Sequence, residues 1–180
     1  MNFKTLLAAA AVSMIAGGAA AQTAEWRTIS PENLWVIDTA KGRVLVELEP
    51  RAAPNHIERI RTLTNQGFYN GLKFHRVIPN FMAQTGDPTG TGMGGSGQKL
   101  KAEFNIEPHV RGVCSMARDQ NPDSGDSQFF ICFGDARFLD RQYTVWGQVI
   151  DGMENVDKIK RGQGGNGEVS SPDRMIKVTV

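Results

Sequence analysis

The sequence predicts a mainly β domain, an antiparallel barrel or sandwich with two helices over its ends. Three observations lead there. Seven or eight short apolar runs of strand length are separated by turn residues. Only two stretches carry a helical apolar period, and they lie far apart in the chain. Strands and helices do not alternate, which argues against a doubly wound parallel sheet.

Leu34–Thr39 and Arg43–Leu48 read as the first two strands. Val44, Val46 and Leu48 alternate with Leu45 and Glu47, and Ala40-Lys41-Gly42 supplies the turn. A helix follows, with Pro54 in its first turn, Ile57, Ile60 and Leu63 on one face, and Gly67 as its stop. Phe74 to Asp87, "FHRVIPNFMAQTGD", reads as strand, turn at Pro79-Asn80, strand. Gly86 to Gly97 is too glycine-rich for anything but loop. Val110–Met116 and Gln128–Phe133 read as buried strands around the polar loop Arg118–Ser127, and Val145–Ile150 as another strand. Asp151 is placed to cap a second helix carrying Met153, Val156 and Ile159, and Met175–Val180 closes the chain as a strand.

Residues 1–21 read as a cleaved signal peptide. Lys4 precedes the apolar run Leu6 to Ile15, and Ala19-Ala20-Ala21 forms a small-residue cleavage site. The run is short of the roughly 20 residues that span a bilayer. Export is therefore expected, with cleavage near Ala21, an extension over residues 22–32 and one folded domain over 33–180. Without its lysine-bearing leader the chain holds 19 basic and 19 acidic side chains. A balanced chain with no basic block has no electrostatic footprint for nucleic acid. Cys114 and Cys132 are too few for a disulfide scaffold and read as buried thiols.

Several motifs fail on context. Gly90 to Gly95 spells G-x-G-x-x-G, but no helix signature follows to receive a pyrophosphate. Gln98 stands where a phosphate loop needs lysine, and also where a nucleophile elbow around Ser96 needs glycine. His56, His75 and His109 show no ligand spacing with each other or with the cysteines, so no metal is expected.

What remains is a mostly apolar stretch holding Arg76 and Gln84. Taken singly, each reads as a solvated strand residue, and Phe81, Met82, Phe129 and Phe130 read as core. Together, "FHRVIPNFMAQTGD", "SMAR" (Ser115–Arg118), "SQFFI" (Ser127–Ile131) and "FLD" (Phe138–Asp140) resemble the cyclophilin-type peptidyl-prolyl cis–trans isomerases, in order, from about Leu34 to Val180. The resemblance implies a cyclophilin-like eight-stranded antiparallel β-barrel capped by two α-helices, with the site on its outer face and no cofactor. It implies proline-containing polypeptides as substrates and, from likeness to bacterial members, a periplasmic location; nothing in the sequence suggests an oligomer, so a monomer is expected.

Residue by residue, Arg76 matches the catalytic arginine and Gln84 the amide that holds it. Phe81, Met82, Phe130 and Leu139 match the proline pocket. Ala117, Arg118 and Gln128 match the groove beside it. Phe138 stands where many members have tryptophan and Tyr143 where many have histidine, and the missing indole N–H implies weak cyclosporin binding. A non-covalent rotation needs no nucleophile, which suits a stretch that offers none. One geometric requirement stands out. An ideal two-residue hairpin at Pro79-Asn80 sets Arg76 opposite Ala83, with Met82 and Gln84 on the other face. The constellation needs a bulge or a looser connection.

Overall fold

The computed structural model describes residues 28–180, so the expected signal peptide and residues 22–27 of the extension lie outside it. Eight strands follow in chain order: β1 (Leu34–Thr39), β2 (Gly42–Leu48), β3 (Arg76–Ile78), β4 (Met82–Thr85), β5 (Val113–Met116), β6 (Phe129–Cys132), β7 (Val145–Asp151) and β8 (Met175–Thr179). They form one sheet in the order β3-β4-β6-β5-β7-β2-β1-β8, every pair antiparallel. Helix α1 covers Pro54–Asn65 and α2 covers Met153–Asp157.

The ladder makes a half-barrel rather than a closed barrel, because β3 and β8 do not pair as strands. β3 is only three residues long. An isolated bridge between Lys73 and Arg174 crosses the seam instead, with Phe74 N donating to Asp173 O (2.9 Å) and Met175 N to Leu72 O (2.9 Å), joined by Gly71 N to Met175 O (2.6 Å) and Val169 N to His75 O (3.1 Å).

Inside the curve lies an aromatic core. Trp35 meets Tyr69, Phe129 and Trp146 edge-on at 5.3–5.7 Å, the arrangement that ring quadrupoles favour. Ile57, Ile60 and Leu63 of α1 close one end, as their spacing predicts. Ala53 provides no side-chain cap for α1. The carboxylate of Glu103 does so from far along the chain, accepting from Asn55 N (3.1 Å) and His56 N (2.9 Å).

Two expectations need correction. Asp151 does not cap α2; it ends β7 opposite Leu45, and Gly152 takes the capping place at φ 78°. A Cβ there would lie 2.1 Å from Arg43 O, so only glycine lets the chain pass from strand to helix. The strand expected from Val110 begins only at Val113, because Gly112 turns at φ 83°.

The sheet is apolar on both faces. Val77, Ala83, Cys114, Phe129, Ile131 and Trp146 point to the inner core. Met82, Val113, Phe130, Cys132 and Val145 form a second cluster outside, packed under Ile78, Phe81, Ala117, Leu139 and Tyr143. Cys114 and Cys132 therefore lie on opposite faces, both free and buried.

Candidate active site

β3 and β4 carry the centre of the site. Pro79, Asn80 and Phe81 connect them, and the register sets Arg76 against Gln84, Val77 against Ala83 and Ile78 against Met82. Phe81 N donates to Ile78 O at 3.1 Å, and Asn80 holds φ 61°. Proline followed by a residue with positive φ is the pattern of a type II turn, and asparagine tolerates that φ. Phe81 is the extra residue that a two-residue hairpin lacks. It returns Gln84 to the face of Arg76, which meets the geometric requirement read from the sequence.

A chain of polar contacts then fixes the guanidinium. Arg76 Nη1 donates to Gln84 Oε1 (3.0 Å), and Gln84 Nε2 donates to Gln128 Oε1 (2.9 Å). Gln128 Nε2 donates to Gly92 O (2.9 Å) and Gly94 O (2.8 Å). On its other side Arg76 Nε donates to Asn166 O (2.9 Å). Among the described residues nothing accepts from Nη2. The glycine-rich loop thus buttresses the site through its carbonyls. Its own anchor is Asp87, which accepts from Thr89 N (2.8 Å), Thr91 N (3.1 Å) and Gly92 N (2.6 Å). Burial pushes the Asp87 pKa up, but donation from the Thr89 hydroxyl and from the amides of Thr89, Gly94 and Gly92 outweighs it and leaves the carboxyl below its usual range.

Ten of the eleven predicted residues line one cavity of about 340 Å³: Arg76, Phe81, Met82, Gln84, Ala117, Arg118, Phe130, Phe138, Leu139 and Tyr143. Gln128 stands next to it, in a hollow of about 440 Å³ that shares Gln84, Ala117 and Arg118. Met82 and Phe130 are buried and make the floor. Phe138 is 66% exposed and makes the rim, its ring 5.4 Å from that of Phe81. The Arg118 guanidinium lies 4.5 Å from the Tyr143 ring centroid, and its Nε and Nη2 donate to Gln142 O.

Support for the floor comes from residues the sequence reading passed over. The His109 ring stacks on Phe130 at 6.2 Å. Its Nδ1 lies 2.9 Å from Asp140 Oδ1 and its Nε2 2.9 Å from Ser115 Oγ. Burial lowers the His109 pKa against the pull of Asp140, so the ring is neutral, with Nδ1–H donating to the carboxylate. The Asn166 carbonyl was also missed, and no signal could have found it: any residue offers a backbone oxygen, and this one is ninety positions from Arg76.

Chemically, the cavity sets the clamped Arg76 guanidinium over an apolar hollow, with the Arg118 guanidinium held on Gln142 O at its wall. Cys132 beneath the floor is no nucleophile, since burial pushes its thiol up to about 12. Among the described residues no group of three or more His, Cys, Asp or Glu is placed to hold a metal ion.

Known proteins share this sequence pattern and fold. Residues 34–180 match the family model for the cyclophilin-type peptidyl-prolyl cis–trans isomerases. A probable peptidyl-prolyl cis–trans isomerase of Brucella suis is 48% identical over 194 aligned positions, spanning 100% of this chain and 97% of that one. The crystal structure of a cyclophilin from Hirschia baltica superposes with a TM-score of 0.77 at 31% identity, over 86% of this chain and 76% of that one. A Cryptosporidium parvum cyclophilin-type isomerase, crystallised in the presence of the dipeptide Ala-Pro, gives a TM-score of 0.76 at 28% identity, over 82% of this chain and 98% of that one. On sequence and on fold alike, the chain belongs to the cyclophilin family of peptidyl-prolyl cis–trans isomerases.

Proposed function

We propose that this isomerase acts outside the cytoplasm, in the periplasm, on X–Pro bonds of unfolded or flexible exported polypeptides, with Arg76 as the catalytic donor. The observation that carries the mechanism is the clamped Arg76 guanidinium in the wall of a cavity floored by Met82 and Phe130.

Rotation about a peptide bond is opposed by about 18–20 kcal/mol, because the nitrogen lone pair is delocalised into the carbonyl. The two X–Pro isomers differ by only about 0.5–1 kcal/mol, so both are available to interconvert. In the twisted transition state the prolyl nitrogen regains its lone pair and becomes an acceptor. A donor aimed at it binds the transition state better than the planar substrate, which is the requirement for catalysis. Arginine suits the task because it stays charged and its planar fork can be anchored on two edges while a third edge faces the substrate.

Magnitudes limit what Arg76 does alone. A charged hydrogen bond contributes about 1.5–3 kcal/mol, whereas an acceleration of about 10⁵ requires about 7 kcal/mol. The remainder is assigned to the apolar floor, which grips the proline ring and excludes water, strengthening the same hydrogen bond. Ala117, Arg118 and Gln128 flank the residues beside the proline. The Ala-Pro dipeptide supplied to the Cryptosporidium relative is consistent with a pocket of this kind. No cofactor or metal takes part, the working unit is a monomer, and a Phe138 rim without an indole N–H binds cyclosporin weakly.

Exchange NMR on a proline-containing peptide tests the mechanism. Arg76→Ala should lower kcat/KM by at least about a hundredfold with the fold intact. Undiminished activity defeats the mechanism, whereas an unsubstituted protein that binds the peptide without speeding its exchange is a peptide-binding chaperone module on the same fold. Export is tested by cell fractionation and mass: recovery in the cytoplasmic fraction alone refutes export, and a periplasmic chain still carrying residues 1–21 refutes cleavage near Ala21.

A further inference from the structure

The segment Gly162 to Glu168 lines neither the proline cavity nor the hollow beside it. It nevertheless touches the guanidinium, through Asn166 O on Arg76 Nε. The contact is built rather than incidental. Val77 N donates to Gly167 O (2.7 Å) and Gly162 N to Val77 O (2.8 Å), so the segment pairs with the outer edge of β3. Bridges between Arg76 and Glu168, and between Gln163 and Glu168, close it on itself. Gly167 sits at φ 73°, and a Cβ there would meet Ile78 Cγ1 at 2.5 Å and the Val77 backbone carbon at 3.1 Å. Glycine is what lets the loop lie flat on the strand that carries Arg76.

We infer that this loop is a positioning element for the isomerisation, its Asn166 carbonyl fixing the plane of the Arg76 guanidinium. The inference rests on the role proposed above for Arg76. A planar cation held only by Gln84 Oε1 on Nη1 can swing about that bond. A second acceptor on Nε, from the opposite edge, removes the swing. Nη2 is then left without a partner among the described residues, available to the prolyl nitrogen. Because the acceptor is a backbone carbonyl, loop shape decides its position and the side chain at 166 does not.

Gly167→Ala tests this, measured in the wild-type and Arg76→Ala backgrounds by exchange NMR. A misplacement of about 1 Å at a catalytic group costs up to about a hundredfold, so kcat/KM should fall by about ten- to a hundredfold in the wild type. Peptide affinity should stay within about twofold, since the pocket walls are untouched. In the Arg76→Ala background the same substitution should have almost no further effect. A loop that merely seals the barrel seam gives equal losses in both backgrounds, and that result overturns the inference alone. Full activity in Arg76→Ala instead overturns the reading beneath it, and this one with it. Should Gly167→Ala fail to fold, the unsubstituted protein still decides. Its Arg76 Nε–H, assigned by loss of the signal in Arg76→Lys, must exchange slowly with water, and rapid exchange refutes the anchor.

Discussion

Replacing Arg76 with lysine separates charge from shape. The present side chain donates at Nε to Asn166 O and at Nη1 to Gln84 Oε1, and keeps Nη2 for the substrate. A lysine ammonium has three donors on one atom and cannot reach acceptors on two edges while pointing at a third group. The variant keeps the positive charge beside the cavity but loses the directed hydrogen bond, which is worth about 1.5–3 kcal/mol. At 1.36 kcal/mol per decade, Arg76→Lys should lose about 10- to 150-fold in kcat/KM, less than Arg76→Ala. Arg76 is half-buried and at the sheet edge, so the melting temperature should barely move. Exchange NMR supplies the rate and calorimetry the stability. A lysine variant with wild-type kcat/KM shows that a point charge suffices, and the fork argument then fails.

Two further predictions concern the rim and the buried rings. Phe138→Trp adds an N–H donor on the exposed rim and should tighten cyclosporin binding by calorimetric titration; an unchanged affinity counts against the reading of that position. Burial holds the imidazoles of His56, His75 and His109 below their ordinary pKa, against Glu103, Asp87 and Asp140 respectively. Below about pH 6.5 the unfolded chain therefore binds more protons than the folded one, so stability is full above that pH and falls as the pH drops towards 5. Urea midpoints that stay flat from pH 7 to 5 refute this.

Much of the fold could be read from the chain because β1 alternates along its length and β2 as far as Val46, and because α1 shows its apolar period between a proline and a glycine. β5 and β6 read as continuous apolar runs for a different reason: both of their faces are covered. What escaped was local backbone geometry. Asp151 has the right chemistry for a cap, yet the close approach of Arg43 O to Gly152 decides where α2 starts. The site was legible as residue types and order, since Arg76, Gln84, Phe81, Met82, Phe130 and Leu139 share one cavity. Its supports were not, because the His109 stack and the Asn166 carbonyl depend on tertiary proximity that leaves no periodic trace.

Phe81 joins these two levels. In the sequence it is one more apolar residue beside a turn, and a tight hairpin would place it in the ladder. In the fold it is the residue outside the ladder that shifts the register of β4 by one place. Because side chains alternate along a strand, that single step moves Met82 and Gln84 from the core face to the outer face, where Arg76 waits. The same residue then lines the proline cavity. Shortening the connection by one residue would therefore do more than remove a wall. It would turn the amide away from the guanidinium and bury it on the inner face with Val77, where a polar group without a partner is costly. The turn's length and the catalytic alignment are one constraint, and the sheet's two apolar faces make any other register unfavourable.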